Sequence, residues 1–339
     1  MDTTTPRYLI AGQLSRDFII LPNGDLLLDI PGGNAIYAAV GLAIWEPDPP
    51  AGLLARVGED YPQVWLDKFQ ARGLDINGIN VLPQALDLRS FIAFSDWETR
   101  RSDDPVPHFA RLGLQFPKSL LGYRTDTKPL DSRTNLNLTS LRQTDIPESY
   151  LDATMIHICP LDYLTHSVLP AILRQAQFTI VTLDPSAGYM NPTFWGEVPA
   201  LLTGLTAFLP SEEEVRSLFQ GRSVDLWEMV EALGAYGCDF VVIKAGERGQ
   251  LVYDTATRSR WQVPPYPARV VNPIGAGDAF CGGFLAGYRL TYDPLEAVLH
   301  GSISASLAIE GNDPTYALDC LPELPQARLD ALRQSVLKI

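Results

Sequence analysis

The chain of 339 residues is 46% hydrophobic and 19% charged, proportions that fit an ordinary globular protein and exclude a disordered or repetitive one. Its formal net charge of −14 repels phosphate backbones and anionic lipid over most of the surface. Nucleic acid and membrane are therefore not expected partners, whereas a small phosphate-bearing ligand needs only a local pocket of backbone N–H groups and a cation.

The opening segment, MDTTTPRYLIAGQL, lacks a basic stretch leading into a long apolar run, so no signal peptide is expected. No apolar run reaches the roughly 18–20 residues that span a bilayer. Cys159, Cys238, Cys281 and Cys320 are widely spaced in apolar surroundings and carry no metal-ligand spacing, which reads as buried free thiols in a reducing compartment, the cytoplasm.

In chain order, RYLIAGQL is of strand length. Residues 17–31, DFIILPNGDLLLDIP, are strand-like on both sides of Asn23-Gly24, the signature of a hairpin. GNAIYAAVGLAIW predicts a buried helix, GLLARVG a strand, and YPQVWLDKFQARGL an amphipathic helix with Trp65, Leu66 and Phe69 on one face. Residues 87–98, DLRSFIAFSDWE, are again strand-like, and the polar stretch from about Thr99 to Pro147 gives little signal beyond a long ordered loop. Four short apolar runs follow: TMIHICPL, FTIVTLDPS, LTAFLPS and FVVIKAG. Each is succeeded by a helical pattern, the last being the helix opened by GAGDAFCGGFLAGYRL. Short apolar strands alternating with helices predict an α/β fold, a doubly wound and mostly parallel sheet with helices on both faces. The two strand-like interruptions at about 17–31 and 87–98 suit a small β lid projecting from a single domain over 1–339; a surface decoration is the plainer alternative.

The segment VVNPIGAGDAFCGGFLAGYRL, residues 270–290, carries the chemistry. Gly275-Ala276-Gly277 lets the backbone bend tightly where a helix begins, and the unpaired N–H groups and dipole at such a start favour an anion. Asp278 stands at the same helix mouth, where a carboxylate beside an anion site needs a task; accepting a proton from an attacking hydroxyl is one. Helix capping by Asp278 and close helix–sheet packing by the glycines are the alternatives. Phe280 stands where a dinucleotide fingerprint needs its third glycine, and no G-x-x-x-x-G-K-[ST] loop is present.

GAGDAFCGGFL resembles the C-terminal signature of the ribokinase-like (PfkB-type) carbohydrate kinases, and PGGNAIYAAVGLAIW at 31–45 resembles their N-terminal signature. Gly12 with Asp17, the segment 55–79, LDP at 183–185, LPSEEEV at 209–215 and VIKAGERG at 242–249 keep the family's order and spacing, so the resemblance spans nearly the whole chain. It implies a ribokinase-like fold and an ATP- and Mg2+-dependent phosphotransferase acting on a hydroxyl of a small sugar or polyol. The backbone of Gly275, Ala276 and Gly277 would form the anion hole, and Asp278 the catalytic base. Lys244, Gly246, Gly249 and Asn272 would line the nucleotide, and Glu214 would organise water around the metal. Asp17, Gly32, Gly33, Asn34 and Tyr37 would meet the acceptor, and the lid strands would offer a homodimer interface. Arg89 is placed either to meet a charged substrate group or in solvent.

The chain departs from the family pattern at three places. Asn272-Pro273 replaces the usual Asp-Thr, Tyr37 replaces an asparagine, and Ser211 replaces the Asn of Asn-x-x-Glu, which marks a divergent branch. Two alternatives follow: a nucleoside kinase of the same superfamily, with Tyr37 or Phe91 stacking on a base, and a catalytically silent sugar- or nucleotide-binding relative.

Overall fold

The computed structural model describes residues 5–125, 131–175 and 178–338. The first four residues of the opening segment, residues 126–130 of the 99–147 stretch and the end of the helix expected at 164–177 lie outside the described residues.

The chain begins with β1 (Tyr8–Ala11) and leaves it for the hairpin β2 (Ser15–Ile20) and β3 (Leu26–Gly32). It returns through α1 (Asn34–Ala43), β4 (Gly52–Gly58), α2 (Gln63–Ala71) and β5 (Ile79–Leu82), then leaves again for β6 (Arg89–Phe94) and β7 (Arg100–Arg101). After α3 (Pro105–Arg111) the alternation resumes with β8 (Met155–Ile158), α4 (Tyr163–Gln175), β9 (Ile180–Leu183), α5 (Val198–Leu202), β10 (Ala207–Phe208), α6 (Glu212–Leu218) and α7 (Leu226–Gly234). A meander of β11 (Phe240–Lys244), β12 (Gln250–Asp254) and β13 (Arg260–Val263) leads to α8 (Ala276–Thr291), α9 (Pro294–Ala308), α10 (Leu324–Arg333) and β14 (Leu337–Lys338).

Among the described residues the large sheet runs β14-β13-β12-β11-β10-β9-β8-β1-β4-β5, parallel from β11 to β5 and antiparallel along the β12-β13-β14 edge. Successive side chains of each strand enter opposite cores, as a sheet covered on both faces requires. Tyr8 and Ile10 join the core beneath α1, α8 and α9, while Leu9 and Ala11 join the core beneath α4 to α7. The expected doubly wound sheet is present. Residues 192–204 divide into a 3-10 turn at Pro192–Phe194 and the short α5, because Pro192, Gly196 and Pro199 interrupt a continuous helix.

The hairpin and the 87–98 strand come together as a second sheet, ordered β3-β2-β6-β7. Gly24, at φ 87, makes the expected turn. One face buries Phe18, Ile20, Phe91 and Ala93 under Phe109 of α3 and Leu120. That assigns the weakly patterned 99–147 stretch a task, since it supplies the cover for this face. Arg56 of β4 anchors its far end, donating to the carbonyl of Leu138 at 3.0 Å and lying 3.4 Å from Asp145 in a buried ion pair. Cys159, Cys238 and Cys281 are buried free thiols, but Cys320 is only partly buried, because it sits beyond the core helices near the C-terminal helix.

The helices α1 and α8 cross backbone to backbone. A Cβ at Gly282 would overlap the carbonyl of Ala38, and one at Gly41 would overlap the carbonyl of Ala279. Both contacts involve main chain, which cannot rotate away. Gly282→Ala should therefore destabilise by about 2–3 kcal/mol or more through overpacking, read as a lowered urea midpoint at an unchanged slope.

Candidate active site

The chemistry collects at the carboxyl ends of the parallel strands, where a doubly wound sheet opens a crevice. Asp184 follows β9, Ser211 and Glu214 follow β10, Lys244 ends β11, and α8 begins above them. Gly275 adopts φ 79, a left-handed conformation that only glycine takes without strain, and turns the chain into α8. Its missing side chain also matters, because a Cβ there would overlap the ring of Tyr37. Just before it, Asn272 is buried and its Oδ1 accepts the N–H of Ile274 at 3.1 Å, an Asx turn that shapes the approach to the nest.

A cation underlies this nest. A Cβ on Gly277 would lie 3.6 Å from Lys244 Nζ. The ammonium is ion-paired with the buried carboxylate of Asp184 and lies 3.5 Å from Cys281 Sγ. Burial works against the charge on Lys244, but Asp184, Cys281 and Glu214 outweigh it and hold the ammonium protonated. Burial pushes Asp184 up to about 6, opposed mainly by Lys244. Burial likewise pushes Glu214 up to about 7, with Asp184 adding to the rise. Glu214 also completes a capping box: its Oε2 accepts from the N–H of Ser211 at 2.8 Å and from Ser211 Oγ at 2.7 Å. The Ser211 found where the family has asparagine thus serves the helix start.

Asp278 stands in the first turn of α8. Burial pushes its carboxyl up to about 6; Glu214 and Asp17 reinforce the shift, while Lys244 and Arg100 oppose it. Asp278 thus lies within electrostatic reach of Lys244, Glu214 and Asp17.

Asp17 is buried in β2, with Ser15 Oγ donating to its Oδ1 at 2.6 Å, and it presses so closely on Gly32 that a Cβ there would overlap the carboxylate. Tyr37 lies between the two sides of the cleft. Its ring packs on Gly275, its buried hydroxyl has no hydrogen-bond partner, and burial raises its pKa with Asp17, Asp278 and Asp313 adding to the rise.

Among the sequence-predicted residues, Asp17, Gly32, Tyr37, Lys244, Gly275, Ala276, Gly277 and Asp278 gather in this cleft, with Glu214 at its floor. Gly33, at φ 105, caps α1 against the backbone of Gln13 and Leu14. Asn34 is used by the scaffold: its Oδ1 accepts from the N–H of Gln13 at 2.7 Å and its Nδ2 donates to the carbonyl of Pro160 at 2.8 Å. Gly246 and Gly249 bracket a 3-10 turn between β11 and β12, both at positive φ. Arg89 is not a freely solvated arginine. It forms a two-pronged pair with Asp87 and donates to the carbonyls of Ser119 and Leu121, tying the cover to the small sheet. Phe91 is fully buried on the covered face, packed with Phe109, and is withdrawn from any role in stacking on a base.

Sequence reasoning missed two members of the site. Asp184 was visible only as part of LDP, although a carboxylate closing an apolar strand is itself a signal. Tyr61, following Asp60 before α2, has a second buried hydroxyl with no partner and is electrostatically coupled to Asp17.

N–H groups over a buried ammonium, a carboxyl beside them and a buried carboxylate across the cleft are an arrangement that suits a small-molecule kinase. The pattern of the pfkB family carbohydrate kinase matches residues 139–319, more than half the chain, and the protein belongs to that family. The chain is 29% identical over 287 residues to a cytidine kinase of Thermococcus kodakarensis, covering 83% of this chain and 87% of that one. In fold it is similar to the nucleoside kinase of Burkholderia thailandensis in complex with inosine, with a TM-score of 0.67 and 20% identity over 96% of this chain and 97% of that one. It is equally similar to the aminoimidazole riboside kinase of Salmonella enterica complexed with aminoimidazole riboside and an ATP analogue, with a TM-score of 0.67 and 18% identity over 95% and 99% of the two chains. Among the described residues no helix is long and apolar enough to cross a membrane.

Because the folded state raises the Asp278 pKa, its contribution to stability is fully present below about pH 4 and is lost as pH rises through about 6. Asp278→Asn should therefore raise the melting temperature at pH 8, by the equivalent of about 3 kcal/mol, and give little gain at pH 4. Paired thermal melts at the two pH values read this directly.

Proposed function

We propose that the protein transfers the γ-phosphoryl group of ATP to a hydroxyl of a small sugar, free or within a nucleoside. The observation that carries this reading is the placement of Asp278 in the first turn of α8, beside the Gly275–Gly277 nest and electrostatically coupled to Asp17 across the cleft. In the proposed reaction the acceptor oxygen attacks the γ-phosphorus while its proton passes to the Asp278 carboxylate. The bond from that phosphorus to the oxygen bridging the β-phosphate breaks, and ADP leaves with the electron pair. Positioning and charge neutralisation supply most of the rate in such a loose transfer, so a carboxylate near pH 6 is a sufficient base.

The backbone N–H groups of Gly275, Ala276 and Gly277, with Lys244 beneath, would hold the transferred oxygens. Gly246 and Gly249 would shape the nucleotide loop, and Asn272 would support the nest. Asp17 can accept two hydroxyl hydrogen bonds from the acceptor, while the unpartnered hydroxyls of Tyr37 and Tyr61 offer donors to it. Gly32 leaves room for Asp17. The small sheet, ordered β3-β2-β6-β7, would act as the lid of a single domain.

Among the described residues no three His, Cys, Asp or Glu side chains gather as a metal-ligand set. That suits a magnesium ion arriving with the nucleotide and held by phosphate oxygens and water, with Glu214 reaching it through water. When bound, the ion would supply charge neutralisation between the β- and γ-phosphates.

The 29% identity to a cytidine kinase over most of both chains favours the nucleoside arm of the panel. ADP release from Mg-ATP should appear with one acceptor class among sugars, polyols and nucleosides. The rate should rise through about pH 6 to a plateau, and Asp278→Ala should lower it at least about 1,000-fold while ATP still binds. Undiminished turnover in that variant would remove Asp278 from the mechanism; ATP binding without turnover across the panel would favour a silent sensor.

A further inference from the structure

The edge strand β7 places an arginine over the phosphate side of the cleft. In the small sheet, Asp17 and Ile19 of β2 share a face with Ser90 and Ile92 of β6, through the registers Asp17↔Ser90 and Ile19↔Ile92. Phe94 continues that face, and its directly paired partner across β6–β7 is Arg100. Residues directly opposite in an antiparallel pair point to the same side. Arg100 therefore belongs to the face that carries Asp17. This face looks into the cleft, because Ile19, Leu21 and Phe94 form an apolar cluster against which Ile274 packs, and Ile274 immediately precedes Gly275. The tip of the same strand pair approaches the turn Gly246–Arg248, since Glu98 lies close enough for Glu247 to act on its charge.

Two cations act on Asp278, namely Lys244 and Arg100. Lys244 is committed to the buried Asp184. Arg100 is exposed and, among the described residues, carries no ion pair. An exposed, unpaired guanidinium on the inner face of a lid, over a nest of N–H groups, is suited to two-pronged contact with phosphoryl oxygens.

Resting on the kinase reading, we propose that Arg100 is a catalytic residue that contacts the transferring phosphoryl group from the lid side, opposite the Gly275–Gly277 nest. Charge on the equatorial oxygens is then met from both sides as the acceptor bond forms and the bond to ADP breaks. Arg101, paired with Ala93, faces the covered side and takes no part.

The experiment compares Arg100→Gln, Arg100→Lys and Arg101→Gln in two measurements. With a working acceptor, Arg100→Gln should lower kcat about 100-fold or more with little change in acceptor KM. Arg100→Lys should recover only part of the loss, and Arg101→Gln should match the parent. In calorimetry without turnover, Mg-ADP should bind all variants equally. Affinity for the Mg-ADP–aluminium fluoride complex, which imitates the transferring group, should fall in Arg100→Gln by a factor similar to the loss in kcat. Equal kcat and equal fluoride-complex affinity would overturn the assignment, as would a loss confined to acceptor KM. The calorimetric measurement needs no acceptor, so it decides Arg100 even where the acceptor panel itself fails.

Discussion

The backbone crossing of α1 and α8 is the constraint on which the site depends. Each helix starts in a functional loop: α1 in the Gly32-Gly33 turn beneath Asp17, and α8 in the Gly275–Gly277 nest. Where they cross, Gly41 and Gly282 remove the side chains that would hold the axes apart. The two loops are thereby drawn together until Tyr37, in the first turn of α1, lies flat against Gly275. The two loops are distant in sequence yet share one wall, because main chain packed against main chain has almost no freedom to shift.

The cleft carries an excess of carboxylates. Asp17, Asp184, Glu214 and Asp278 outnumber the cations that face them, and burial raises the carboxyl pKa of the last three. Positive character is concentrated in the N–H groups of Gly275–Gly277 with Lys244 beneath them. The Asp184 carboxylate keeps Lys244 charged at the depth where burial would otherwise strip its proton. Burial first, with Glu214 and Asp17 adding to it, raises the Asp278 carboxyl to about 6.

Much of this was readable in the chain. Alternating apolar runs gave the parallel sheet, Asn23-Gly24 marked the hairpin, and Gly-Ala-Gly-Asp marked the turn into α8, since each rests on local geometry that few residue types allow. The stretch 99–147 was opaque, because it works as a cover whose apolar residues answer to Phe18 and Phe91 rather than to any period of their own. Asn34, Arg89 and Phe91 looked available to a ligand. Asn34 and Arg89 instead bond to distant backbone, and Phe91 lies buried under α3, which residue spacing does not reveal.

The amino-acid sequence by itself determined the fold class and the glycine turn that opens α8 with Asp278 in its first turn, because these follow from backbone conformation and short-range periodicity. Only the tertiary structure decided which charges meet. The pairing of Lys244 with Asp184 and the turning of Arg100 toward Asp278 while Arg101 turns away both depend on strand order, register and helix crossing. Electrostatic interaction depends on distance through space, and that distance was set when residues far apart in the chain were packed together.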